Sequence, residues 1–207
     1  MTVYLYKHMV TKVNDMDLRV LELFTKGYNK EYYIREVEKM LGVSSRTALK
    51  TLAKLEDLGI LQSNIRGKIK LYKIKKSIIS REYFLLTEQY KKIKFFEKNL
   101  IIKEIFEKIE TLTSGIVLVF GSYAKGIPKK TSDLDLFVIG KYSDKKIKIF
   151  GKKYGIVINI KSYPMKIFRK ELHDDFFLKE IIGNHVLIKS SEKFVDLVLK
   201  WTISNGV

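Results

Sequence analysis

Residues 121–140 read Gly121-Ser122-Tyr123-Ala124-Lys125-Gly126-Ile127-Pro128-Lys129-Lys130-Thr131-Ser132-Asp133-Leu134-Asp135-Leu136-Phe137-Val138-Ile139-Gly140. The run just before it, Gly115-Ile116-Val117-Leu118-Val119-Phe120, is apolar and has the length of a buried strand, and it breaks at Gly121-Ser122. Ten residues follow Ser122, and then residues 133–139 make a second apolar strand with two acids at its start. Side chains alternate between faces in an extended chain, so Asp133 and Asp135 point the same way while Leu134 and Leu136 enter the core. Two oxygen ligands of like charge held that close favour a hard divalent cation, with Mg²⁺ the natural candidate. The Gly-Ser turn offers amide donors, a small hydroxyl and a backbone open to close approach, which suits a terminal phosphate of a nucleotide. Lys125, Lys129 and Lys130 add positive charge in the connecting loop, and Ser132 immediately precedes the acid pair.

Gly121-Ser122, ten residues, then Asp133-x-Asp135 resembles the signature of nucleotidyltransferases of the DNA polymerase beta superfamily. The whole string looks most like the minimal nucleotidyltransferases of prokaryotes, and the resemblance covers residues 113–207. It implies a small mixed sheet flanked by helices. It also implies Gly121 and Ser122 on the nucleotide phosphates and Asp133 and Asp135 as catalytic residues on Mg²⁺, and by their place in the loop Lys125 and Ser132 join the expected nucleotide-binding residues. The implied reaction moves a nucleoside monophosphate from a nucleoside triphosphate, ATP being the expected one, onto an acceptor hydroxyl with loss of pyrophosphate.

Active members of that family place a third carboxylate on a later strand. The matching segment here, Ile156-Val157-Ile158-Asn159-Ile160-Lys161, offers Asn159, and no acid lies between Lys145 and Lys170. Asparagine is no general base at ordinary pH and gives a metal only a neutral oxygen. Two readings stand. In one, the protein is an enzyme that works with two acids or recruits another from Asp144, Glu171, Asp174 and Asp175. In the other, the site binds a nucleotide without turning it over, or serves only in dimerisation, and the chain is a DNA-binding transcriptional regulator.

The regulator reading comes from the front of the chain. Leu18, Val20, Leu21, Leu23 and Phe24 predict a short helix ended near Gly27, and Tyr33, Ile34, Val37 and Leu41 a second one stopped by Gly42. Ser44 reads as the N-cap of a third helix that runs to Leu58. Residues 60–63 and 68–74 then flank Asn64-Ile65-Arg66-Gly67 as a hairpin. Three helices and a basic hairpin resemble the winged helix of prokaryotic DNA-binding regulators over the first third of the chain. On the third helix Ala48, Leu49, Leu52, Leu55 and Leu58 are expected to face the core, which leaves Ser45, Arg46, Thr47, Lys50, Thr51 and Lys54 outward. With Arg66, Lys68 and Lys70 of the hairpin, these are residue types that bind phosphates and base edges of duplex DNA.

Between the two ends, Phe84, Leu85, Leu86, Tyr90, Ile93, Phe96, Leu100, Ile101, Ile105, Phe106 and Ile109 recur three or four apart, which predicts a long amphipathic connector. Its apolar face calls for cover by a neighbouring domain or a second copy of the chain, so a homodimer is one expectation. The reading is therefore an α/β (α+β) protein with a winged helix in 1–76, a helical connector in 77–112 and a nucleotidyltransferase fold in 113–207. The formal charge is +17, with excesses of +8, +1 and +8 in residues 1–76, 77–114 and 115–207, which fits a polyanionic partner such as nucleic acid or nucleotide. A protein acceptor docked by the front domain is also compatible. With no cysteine, a disulfide scaffold, a thiolate zinc site and a cysteine nucleophile are excluded, and a reducing, cytoplasmic setting fits. No apolar run approaches the ~20 residues of a membrane span, and Lys7 and His8 interrupt residues 1–10, which do not read as a signal peptide. His8, His173 and His185 show no zinc-ligand spacing.

Overall fold

The computed structural model describes residues 13–172 and 174–204, with side chains to residue 199; His8 and His173 lie outside the described residues. They form two compact units, one reaching to Thr87 and including the chain from Leu199, the other Glu88–Val198. Helix α4 (Ile78–Lys98) crosses that division.

In the first unit α1 (Asp15–Phe24) opens with a capping box, in which the Asn14 side chain accepts from the Asp17 amide and the Asp17 carboxylate accepts from the Asn14 amide. Helix α2 (Ile34–Leu41) ends at Gly42, whose φ of 64° is the left-handed conformation that closes the last turn on the Glu38 carbonyl. The chain then enters α3 (Ser45–Asp57), capped by Ser44 through the Thr47 amide at 3.1 Å. Strands β1 (Tyr32–Tyr33), β2 (Leu61–Arg66) and β3 (Ile69–Ile74) form an antiparallel sheet in the order β1-β3-β2. Arg66 pairs with Ile69, so the hairpin turns at Gly67-Lys68 and Asn64 and Ile65 belong to the strand, later than the sequence suggests. The face assignment of α3 is corrected at two positions. Ala48, Thr51, Leu52 and Leu55 are buried, whereas Leu49 is exposed, because a helix advancing 100° per residue turns position 49 away from the 48-52-55 stripe.

The expected connector is two helices, α4 and α5 (Leu100–Ile109), broken at Asn99. There the Asn99 side chain donates to the Phe95 carbonyl at 2.8 Å, the local competition that asparagine offers a helix. Along α4 Phe84 and Phe95 are buried while Leu86 and Ile93 are exposed.

The second unit is built on a mixed sheet of β4 (Ile116–Phe120), β5 (Leu134–Ile139), β6 (Ile158–Tyr163) and β7 (Val186–Lys189), in the order β6-β5-β4-β7. Only β5 and β6 run parallel, joined by the crossover helix α7 (Asp144–Lys153) after the single turn α6 (Gly121–Ala124) that follows β4. One face packs Val117, Val119, Leu134, Leu136, Val138 and Ile158 on Ile102, Ile105, Phe106 and Ile109 of α5 and Ile147 of α7. The other face carries Phe137, whose ring meets Tyr163, Phe168 and Phe177 at centroid distances of 5.4, 6.4 and 5.9 Å. Phe168 lies on α8 (Met165–Glu171), Phe177 on α9 (Phe176–Gly183), and α10 (Ser191–Ser204) closes the unit with Phe194 against Phe168. Both faces are covered, which is why β4 and β5 read as unbroken apolar runs. His185 immediately precedes β7 and is buried, with Nδ1 2.8 Å from the Ile182 carbonyl and Nε2 3.1 Å from Glu88.

Candidate functional site

The last pair of the β4–β5 ladder is Phe120 with Asp135, so the residue after it, Gly121, sits directly beside that carboxylate. A Cβ at Gly121 would press on Asp135 Oδ2, inside van der Waals contact, and φ there is +70°. The left-handed backbone favours glycine here, and any larger residue would also push the Asp135 carboxylate aside. On the other side of β5 the parallel register pairs Asp135 with Asn159 of β6. The Asn159 side-chain amide donates to Asp133 Oδ2 at 3.1 Å and to Asp135 Oδ1 at 3.2 Å. The two aspartates therefore share a face, as the period-two reading predicts, and a single neutral NH₂ group bridges them.

Sequence reasoning located Asn159 but not this bridge. Its signal was the parallel pairing of two strands, which no local pattern declares. Two carboxylates side by side repel each other, and an amide N–H partly offsets that repulsion where a cation would do so fully. The ligand atoms are the oxygens of the two carboxylates, toward which Asn159 turns its NH₂ and not its carbonyl oxygen. That chemistry fits a hard divalent cation. No group of three or more histidine, cysteine or acidic side chains that could hold a metal occurs among the described residues. The proposed substitutes have other partners: Asp144 pairs with Lys148 at 2.9 Å, Glu171 with Lys170 at 3.4 Å, and Asp175 caps α9. Asp174 is exposed and joins no such group.

Asp175 accepts from the amides of Phe177 and Leu178 at 2.7 and 3.1 Å and from the Tyr163 hydroxyl at 2.8 Å. The tyrosine hydroxyl, and after it the two amides, hold this carboxyl below its ordinary value, and Tyr163 is correspondingly raised. The start of α9 is thereby fastened to β6. Phe177 then stands edge-on to Phe120 at 5.7 Å, next to the Gly-Ser turn.

The remaining turn residues separate by role. The Ser122 hydroxyl has no hydrogen-bond partner among the described residues, while its carbonyl accepts from the Ile127 amide at 3.1 Å and tightens the loop. Lys125 pairs with Glu180 of α9 at 3.3 Å. Ser132 accepts from the Lys129 amide at 2.8 Å and returns its own amide to the Lys129 carbonyl at 2.9 Å, which makes it a loop-closing residue.

In the first unit Ser45 bonds to Glu38, and Thr47 is drawn into the Ser44 cap with its hydroxyl at 2.9 Å. Lys54 forms an ion pair with Asp17, which is 1% exposed, so its charge is committed to the α1–α3 contact. Arg66 is 3.4 Å from Glu31, and Lys70 pairs with Glu56 at 2.7 Å. Arg46, Lys50 and Lys68 are exposed and carry no ion pair among the described residues.

Residues 100–194 match the family model described as Polymerase beta, Nucleotidyltransferase, so a nucleotidyltransferase domain is present in the second unit. No curated protein matches the chain. Among solved structures the chain is similar to Sso10a-2, a DNA-binding protein from Sulfolobus solfataricus, at 20% identity and a TM-score of 0.32, over 50% of this chain and 100% of that one. No helix among the described residues is long and apolar enough to cross a membrane.

Proposed function

We propose that the second unit is a Mg²⁺-dependent nucleotidyltransferase acting on a nucleoside triphosphate, ATP in the first instance, and that the first unit is a winged helix that binds duplex DNA. The observation that supports the transferase reading most strongly is the packing of Gly121 on Asp135, because it joins the phosphate-binding turn to the acid pair. A bound Mg²⁺ would polarise phosphate oxygens at this point. Asp133 and Asp135 hold and orient the cation, the Gly121 backbone lets the phosphates approach, and the Ser122 hydroxyl and turn amides receive their oxygens. Lys125 and Ser132 keep the loop in place. The acceptor oxygen forms its bond to the α-phosphorus as the bond to pyrophosphate breaks, pyrophosphate departs, and the acceptor proton passes to solvent, since Asn159 takes none.

Incubation of the full chain with Mg²⁺, α-labelled nucleotides and RNA, DNA or protein acceptors tests this: label transfer is expected, and Asp135→Asn abolishes it. A second reading, nucleotide binding without turnover, is favoured by the Asn159 amide between the carboxylates. Nucleotide retention that depends on Asp135, with no transfer to any acceptor in a cell extract, selects that reading. The DNA-binding reading rests on α3 and the β2–β3 hairpin, where Arg46, Lys50 and Lys68 present exposed charge, with Ser45 and Thr47 at the helix start and Arg66 on the hairpin.

A further inference from the structure

Lys161 follows Asn159 by two residues on β6, so both project from the same face of that edge strand, about 7 Å apart along it. Its neighbour in register on β5 is Phe137, two residues beyond Asp135, which puts Lys161 diagonally across from the acid pair. A lysine so close to two aspartates would ordinarily pair with one. Lys161 is exposed and makes no ion pair among the described residues. Its ammonium instead rests 4.3 Å from the centroid of the Phe177 ring. That ring is edge-on to Phe120, the residue before Gly121, and its helix is tied to β6 through Asp175 and Tyr163. The ammonium is thus held by an aromatic face on the side of the sheet that carries the acid pair, with its charge uncompensated by any carboxylate among the described residues.

We propose that Lys161 is a further phosphate-binding residue of this site, one that selects a polyphosphate over a monophosphate. The inference rests on the reading of Asp133, Asp135 and the Gly-Ser turn as a metal-nucleotide site. A cation–π seat costs the ammonium little and leaves its three N–H donors for an incoming anion, whereas a salt bridge to Asp135 would compete with both metal and phosphate. The charge of the second and third phosphates has no other lysine or arginine on β6 to meet it.

The test is a titration of the full chain with Mn²⁺ together with each ribonucleoside triphosphate, and separately with the matching monophosphate. Wild type is compared with Lys161→Ala, Lys161→Arg and Asp135→Asn, and thermal melts confirm folding. Lys161→Ala weakens triphosphate binding at least tenfold and monophosphate binding less than twofold, leaves Mn²⁺ binding alone within twofold, and is rescued by Lys161→Arg. If wild type binds triphosphate in an Asp135-dependent manner and Lys161→Ala binds it equally well, the assignment of Lys161 is overturned while the site stands. If wild type binds no triphosphate, the site reading and this assignment fall together.

Discussion

At the scale of single residues the site depends on three side chains and one missing one. Asn159 supplies two hydrogen bonds where a third acid would supply a negative charge. Replacing it by aspartate places three carboxylates together, so Asn159→Asp is expected to lower the melting temperature in chelator and to regain it in millimolar Mg²⁺, with at least tenfold tighter Mn²⁺ binding than wild type. A melting temperature indifferent to the cation in that variant would show that Asp133 and Asp135 hold no metal. The acid pair itself was legible in the sequence because strand alternation fixes which residues share a face. The asparagine bridge was not, since it joins residues 24 and 26 apart in the chain through a parallel register that a slip of one residue would destroy. Nor could the sequence reveal that Lys54 serves Asp17, for an outward lysine on a helix looks the same whether or not a buried acid waits behind it.

At the scale of elements, β4, β5 and the first three helices were legible because caps and apolar runs coincide with their ends. The long apolar stripe of the connector was misleading where it continues through a break. Asn99 divides α4 from α5, yet the spacing of apolar residues passes over that point. Helix α7 gives no such signal because half of its residues are lysine and only Ile147 and Gly151 are buried. The cap at Asp175 carries a pH dependence. Its folded pKa is held below the unfolded value, chiefly by the Tyr163 hydroxyl. Its stabilisation is therefore full above the ordinary carboxylate range, near pH 4, and is lost as pH falls through the folded value. Asp175→Ala is expected to cost about 1 kcal/mol at pH 7, as loss of an N-cap does, and to narrow the gap to wild type on acidification towards pH 3. Thermal melts across that range check it, and a gap that widens with acid would contradict the assignment.

At the scale of the whole molecule, a charge of +17 is shared by a unit with a basic helix and hairpin and a unit with the acid pair. Where lysines and arginines are already paired, as Lys54 and Lys70 are, they stabilise the fold; where they are not, as at Arg46, Lys50 and Lys68, they are available to phosphates. Joint replacement of Arg46, Lys50 and Lys68 by alanine should leave the melting temperature unchanged and reduce the salt slope of duplex DNA binding by about 1 for each phosphate no longer neutralised. An unaltered slope would remove DNA from the account of α3 and its hairpin. The central claim concerns the other unit, that Asp133 and Asp135 beside Gly121 form one metal-nucleotide site. Its most direct test is Mn²⁺ titration of the full chain by electron paramagnetic resonance with and without ATP. One bound Mn²⁺ per chain, tightened by ATP and lost in Asp135→Asn, is the predicted result; Mn²⁺ and ATP binding that Asp135→Asn leaves intact would contradict it.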